Sequence, residues 1–193
     1  HVRDQGDSAI VPRQENMILA EDGQICLWDD KVRIKAESAV SLHTRNLSSS
    51  KIANEELPSQ LPDFISLRVS SSVDWAANFE TEIKHKNTKI QGNVKRIGPG
   101  YVTLGNPMLF RDRMEYKGKI KQRFMNRKAY ISISGRHSYD NLIPWKPADT
   151  KITSWGIRTG AFIKGKTNVM INYAPHLIAR KYNGTNTNKT SLL

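Results

Sequence analysis

Positive charge recurs at every second residue in one short segment of the chain. Because successive side chains of a strand point to opposite faces, the pattern predicts a β-strand with one cationic face and one mostly apolar face. Four like charges on one face repel each other, so they are favourable only opposite an anionic partner. This segment, the cationic ribbon, consists of Lys117, Lys119, Lys121 and Arg123, with Tyr116, Gly118, Ile120, Gln122 and Phe124 between and beside them.

The basic residues around the ribbon extend this prediction. The net charge of +12 is uneven: residues 1–80 carry about −5, residues 81–128 about +10 and residues 129–193 about +7. A basic body with a mildly acidic leader indicates phosphate or another polyanion as the partner. A solvated basic face and an acidic protein neighbour are the alternatives. The candidate RNA- or neighbour-binding residues are Lys84, Lys86, Lys89, Lys95, Arg96, Lys117, Lys119, Lys121, Arg123, Arg127 and Lys128.

Aromatic residues are interleaved with these cations. They could stack on bases beside a cationic groove, as in single-strand binders. At strand spacing they are more often core residues, and the ribbon places its aromatic residues opposite the lysines. The set comprises Tyr101, Phe110, Tyr116, Phe124 and Tyr130.

One segment fits the phosphate-binding pattern GxxxxGK[ST], residues 160–167. Such a loop needs a following helix whose N-terminus faces the phosphates. Residues 168–173 are instead typical of a strand, so we expect a turn at residues 164–166 between antiparallel strands.

No constellation of residues predicts catalysis. The five histidines have no ligand spacing, and residues 136–140, which could belong to a nuclease site, are better explained as a polar loop. We therefore expect no enzyme activity, no catalytic residues, no metal site and no cofactor. Cys26 is the only cysteine, which fits a reducing compartment. No apolar run is long enough to cross a membrane, and we expect no membrane partner.

The remaining pattern predicts an all-β fold with one short helix at residues 73–84. Strands are expected at 24–35 (broken by a turn at Asp29 and Asp30), 64–70, 89–97, 101–104, 129–134, 151–163 and 168–173, with an extended piece at 141–145. Short strands separated by Gly and Pro turns favour a sandwich or barrel. We predict an extended N-terminal arm at 1–60, a domain at 61–182 and a polar C-terminal tail at 183–193.

The order of elements from residue 64 onward resembles the jelly-roll coat proteins of picorna-like plant viruses, the comovirus and nepovirus relatives of secovirid type. The resemblance covers about 120 residues and lies in spacing and pattern. It includes the segment ending in Ile143-Pro144-Trp145, the Trp-containing strand 154–163 and the closing segment 169–179. The start at His1 agrees with release from a polyprotein by a viral protease.

The resemblance implies an eight-stranded antiparallel jelly-roll sandwich with an extended N-terminal arm. It also implies a structural capsid subunit that assembles with other capsid subunits, identical and different, into an icosahedral shell around single-stranded RNA. Basic residues would neutralise RNA phosphates without reading sequence. The chain would be located in the virion, and in the host cytoplasm during assembly. The alternative is a stand-alone basic RNA- or membrane-binding viral accessory protein of the movement, matrix or silencing-suppressor type.

Overall fold

In a computed structural model, the chain folds as one antiparallel β-sheet. The structure describes residues 2–3, 12–52, 67–106, 108–143, 146–162, 168–182 and 185–192. None of these residues is helical, so the all-β class is confirmed. Side chains are described from residue 12 to residue 181 within these ranges.

The sheet is a meander in which strands adjacent in sequence are adjacent in space. Its order is β1-β2-β3-β4-β5-β6-β7-β8-β10-β11, and β9 pairs with the second half of β8. The strands are β1 (Val2–Arg3), β2 (Glu15–Leu27), β3 (Val32–Thr44), β4 (Ser71–His85), β5 (Thr88–Ile97), β6 (Arg113–Phe124), β7 (Ala129–Asp140), β8 (Ala148–Ala161), β9 (Val169–Tyr173), β10 (Pro175–Tyr182) and β11 (Thr185–Leu192).

Three tight turns lie at the same end of the sheet, which we call the hairpin end. The β2–β3 turn confirms the turn predicted at Asp29 and Asp30, both of which have positive φ angles. The β4–β5 turn contains Lys86 and the β6–β7 turn contains Arg127, also with positive φ. Asp and Asn tolerate this left-handed region better than most residues. In the β4–β5 and β6–β7 turns, cations occupy such positions.

The register is unbroken from β2 to β9, so register partners form straight rows across the sheet. Because partners in a row lie on one face, each row can be read directly from the pairing. The row through Ile120 is entirely apolar or aromatic and defines the apolar face: Leu27, Val32, Ile83, Ile90, Ile120, Ile133, Ile157 and Tyr173.

The opposite face, the polar face, carries the cationic ribbon. The row through Lys117 consists of Gln24, Lys35, Glu80, Asn93, Lys117, Arg136, Ser154 and His176. The prediction of a strand with a cationic and an apolar face is therefore confirmed for β6.

The buried part of the described structure is small and lies mostly at the end opposite the hairpin end. There residues 98–102, which follow β5, fold over the polar face of β2–β4. The Ser41 hydroxyl donates to the Val102 carbonyl at 2.6 Å, and the Asn16 amide donates to the same carbonyl at 3.0 Å. Ile97 and Tyr101 are the buried hydrophobic residues among those described.

Several sequence-based predictions are corrected by the strand assignment. The helix at residues 73–84 is wrong, since this segment lies within β4, where its apolar residues pair with β3. Residues 101–104 are a connection rather than a strand, and so are residues 67–70, the described part of the strand predicted at 64–70. Residues 64–66 lie outside the described residues. An extended arm was predicted at residues 1–60. Most of the described residues in this range belong to β2 and β3, which are part of the sheet.

The jelly roll is not confirmed, because a jelly roll needs Greek-key crossovers and the described strands follow one another in order. The backbone of residues 185–192, predicted as a tail, forms β11. The predicted boundary at 60/61 lies outside the described residues, and the division into domains stays a prediction.

The tight turn after β5 yields a stability prediction. A Cβ placed on Gly98 would overlap the Asp74 carboxylate, which also accepts a 2.7 Å hydrogen bond from the Gly100 amide. We expect Gly98→Ala to lower the free energy of unfolding by about 1–3 kcal/mol, because the carboxylate must move away and lose this hydrogen bond. Urea denaturation measures this change.

The control is Gly23→Ala in β2, where an added Cβ meets nothing within 4 Å. We expect that variant to be neutral or more stable by about 0.5–1 kcal/mol, as usual for Ala replacing Gly in a strand. Equal destabilisation by both substitutions would contradict this account of the turn.

Candidate nucleic-acid interface

Four cations share one row of the polar face near the hairpin end. This cationic row runs Lys84, Lys89, Lys121, Arg158 across β4, β5, β6 and β8, with Ser132 of β7 between the last two. With about 4.8 Å between neighbouring strands, the row is about 19 Å long. Like charges directly opposite one another in a sheet are destabilising, so the row favours an anionic ligand.

Lys121 lies at the centre of the repulsion. Partial burial and then repulsion by nearby cations hold the pKa of Lys121 below its ordinary value. Its ammonium lies 4.4 Å from the centre of the Tyr130 ring rather than against an acid. The repelling cations are Arg123, Lys119, Lys89 and Arg158.

The cations on this face divide into paired and unpaired groups. Lys84 and Lys89 both bind Glu82, at 2.9 and 2.8 Å, and these hydrogen bonds lower the pKa of Glu82 to about 2. Within the described part of the chain, no acid forms an ion pair with Lys119, Lys121, Arg123 or Arg158. Three of these four cations lie on β6, and Arg158 lies on β8.

Lys117 belongs to the paired group. It bonds Glu115 at 2.6 Å, and Glu115 also contacts Arg113 at 3.2 Å and Arg136. Burial opposes ionisation of Glu115, but hydrogen bonds from Lys117 and Arg136 outweigh it, so the pKa of Glu115 lies below its ordinary value. This cluster keeps one end of the ribbon largely neutralised.

An aromatic pair borders the unpaired cations. Tyr130 and Phe162 stack with ring centroids 6.0 Å apart, and Phe162 is half-exposed. Tyr130 can lie across its register partner because that partner is Gly160, where a Cβ would come within 2.7 Å of the ring. An exposed ring beside unpaired cations is the arrangement that single-strand binders use for stacking bases.

A groove of about 710 Å³ adjoins the cationic row on the polar face. It crosses the strands between the rows of Lys117 and Lys119, and the backbones of Gly92, Gly118 and Gly135 contribute to its lining. Its charged lining residues are Arg33, Lys35, Glu80, Glu82, Lys117, Lys119 and Arg136. Cations outnumber acids there, so the groove can continue a path for an extended anionic chain.

The structure brings most of the predicted binding residues together. Lys86 lies in the β4–β5 turn, and Arg127 and Lys128 lie in the β6–β7 turn, all at the hairpin end beside the cationic row. Lys95 is on the polar face, farther along β5 in the row of Glu115. Whether any of these residues binds RNA or a neighbouring chain stays a prediction.

Arg96 is the exception among the predicted residues, because it lies on the apolar face. Its guanidinium is 3.7 Å from the centre of the Trp75 ring and 3.7 Å from Asp74 Oδ1. Adjacent positions in a strand face opposite ways, so Lys95 and Arg96 could never share one site.

Sequence reasoning missed Arg158 and Phe162. Arg158 is 35 residues from Arg123 in the sequence and reaches the cationic row only through the pairing of β7 with β8. Phe162 stood within the apparent phosphate-binding pattern. The alternation of side-chain types along residues 151–163 predicted a strand. It did not indicate which strand would pair with it.

The other candidate chemistry finds little structural support. Residues 163–167 of the GxxxxGK[ST] match lie outside the described residues, and Val169–Tyr173 after them is a strand rather than a helix. Arg136, His137 and Asp140, predicted in a loop, lie in β7. Among the described residues, no group of three or more His, Cys, Asp or Glu could hold a metal ion, and no helix is long and apolar enough to cross a membrane.

In comparisons with protein-family models, curated proteins and solved structures, the chain matched none of them.

The ion pairs of Glu82 predict acid sensitivity. Its pKa of about 2 is below the ordinary 4.5, so its contribution to stability is present above pH 4.5 and is lost as pH falls towards 2. Screening by solvent keeps the contribution to about 1 kcal/mol. We expect Glu82→Gln to be less stable at pH 7 and to lose less stability on acidification, measured by urea denaturation across this pH range.

Glu80→Gln is the matched control, since Glu80 lies on the same strand and face but forms no ion pair with a described residue. If the free energy of unfolding depended on pH in the same way in both variants, the ion pairs of Glu82 would not be the cause of the acid sensitivity.

Proposed function

We propose that this chain is a structural capsid subunit that packs with sister coat chains into an icosahedral shell. In this shell its polar face contacts the enclosed single-stranded RNA. The observation that carries the proposal is the division of one sheet into a face with unpaired cations and an exposed apolar face. The first suits a polyanion, and the second suits neighbouring protein.

The cationic row supports binding without sequence specificity. Lysine and arginine neutralise phosphates whatever the bases, and the exposed ring of Phe162 could stack on any base. The row, the aromatic pair and the groove are continuous on one face, which favours an extended single strand over a compact ligand. In the proposal, the residues in the hairpin-end turns add further phosphate contacts.

The eight-stranded jelly roll belongs to this proposal only as the fold expected of such coat subunits. The described meander gives the chain one layer instead of two. The proposal therefore rests on the chemistry of the two faces. It places the chain in the virion, with assembly in the host cytoplasm, and assigns it no cofactor and no membrane partner.

The double variant Lys121→Ala/Arg158→Ala tests the RNA-binding face. We expect weaker binding to single-stranded RNA and a slope of log K against log salt that is shallower by about 1.4, since each phosphate contact contributes about 0.7. Fluorescence anisotropy titrations at several salt concentrations measure both. RNAs of different sequence should be affected equally.

Lys151→Ala is the control, because Lys151 is on the same strand as Arg158 but on the opposite face. A salt slope unchanged by the double variant, or a loss restricted to one RNA sequence, would exclude the polar face as a general RNA-binding surface.

Electron microscopy of the native material, with mass spectrometry of its chains, tests the shell. We expect closed particles that contain this chain, sister coat chains and RNA. A monodisperse monomer that binds RNA tightly at low salt would instead assign the chain to the stand-alone accessory proteins.

A further inference from the structure

The apolar face is exposed along its whole width. Many of the large hydrophobic side chains on it, from Leu19 on β2 to Leu177 on β10, keep more than a third of their surface accessible, and Leu19 is 73% exposed. Among the exposed large hydrophobic residues whose side chains are described within β2–β10, Met170 alone is on the polar face. The segregation is what a sheet shows when one face packs against another layer.

The total accessible surface of the chain exceeds that of a folded monomer of its mass. It is 14185 Å², whereas a folded monomer of 21.9 kDa exposes about 9,300 Å². The excess of about 4,900 Å² per chain is larger than the surface of about 1,000–2,500 Å² that each chain of an obligate dimer buries. The chain thus exposes enough surplus surface for an obligate interface.

The apolar face carries both a depression and a projection. Gly92, Gly118 and Gly135 are neighbours in one row across β5, β6 and β7, and a Cβ on Gly118 or Gly135 would meet nothing within 4 Å. The next residue in that row is Trp155, whose half-exposed ring meets Tyr173 edge-on at 5.4 Å. A surface with a projection and a hollow side by side can be complementary to a copy of itself.

We infer that the apolar face is covered by the apolar face of a second copy of this chain, which forms a two-layer homodimer. Two sheets packed about 10 Å apart need two apolar faces of similar breadth, and a second copy supplies a matching one. The polar face, with its unpaired cations, stays outward on both sides. This inference deepens the proposed function by naming one subunit contact, and it is testable without RNA.

Sedimentation velocity of the nuclease-treated full chain over a wide concentration range tests the inference. The expected species has twice the 21.9 kDa mass of one chain. Ile133→Glu should raise the dimer dissociation constant by at least about 100-fold, because it places a charge in the interface. Ser134→Glu introduces the same charge one residue away on the polar face and should leave the constant unchanged.

Hydroxyl-radical footprinting of the wild-type chain supplies a readout that does not depend on folding of a variant. Oxidation of Trp155 and Tyr173 should fall as dimer forms, while Phe162 on the polar face stays reactive. A wild-type chain that is monomeric throughout, or a dimer with Trp155 unprotected, overturns the inference. Binding of the RNA-free monomer to lipid vesicles through this face also overturns it.

Failure of the dimer and failure of the proposed function are distinguishable. RNA affinity with its salt dependence reports on the polar face, and RNA-free sedimentation reports on the apolar face.

Discussion

Unbroken antiparallel register is the constraint on which the rest of this structure depends. Side chains alternate with a period of two, so a slip of one residue in any strand would move its residues to the opposite face. From β2 to β9 no slip occurs, and eight strands contribute to one apolar row. The same register brings Lys84, Lys89, Lys121 and Arg158 together, so the cationic row and the apolar row are two results of one pairing.

The sheet tolerates its concentrated charge by neutralising part of it. Glu82 binds two lysines, and Glu115 contacts three cations. Repulsion between the cations near these acids is therefore largely compensated. Around Lys121 there is no such acid among the described residues, and its lowered pKa reflects both burial and repulsion. Unrelieved repulsion among these cations favours an external anion, and the proposed RNA-binding role of the polar face rests on this observation.

The stability of a single-layer sheet poses a different problem. Backbone hydrogen bonds hold the strands together, but hydrophobic burial is the dominant favourable term in folding, and Ile97 and Tyr101 are the buried hydrophobic residues among those described. The loop over β2–β4 anchors one end through polar contacts with Ser41, Asn16 and Asp74. A second apolar layer would supply the burial that one layer lacks.

The sequence by itself determined the all-β class, the ribbon with its two faces, the turn at Asp29 and Asp30, and most of the basic residues at the hairpin end. Those features follow from local alternation and turn chemistry. The sequence predicted a helix where β4 lies, because its apolar residues fit a helical spacing: Trp75, Ala76, Phe79 and Ile83. Pairing with β3 and β5 outweighed that local pattern. Only the tertiary structure decided which strands are neighbours. It therefore decided that Arg158 joins the cationic row, that Arg96 lies on the opposite face, and that the strands form a meander, because pairing between distant strands is not encoded in local periodicity.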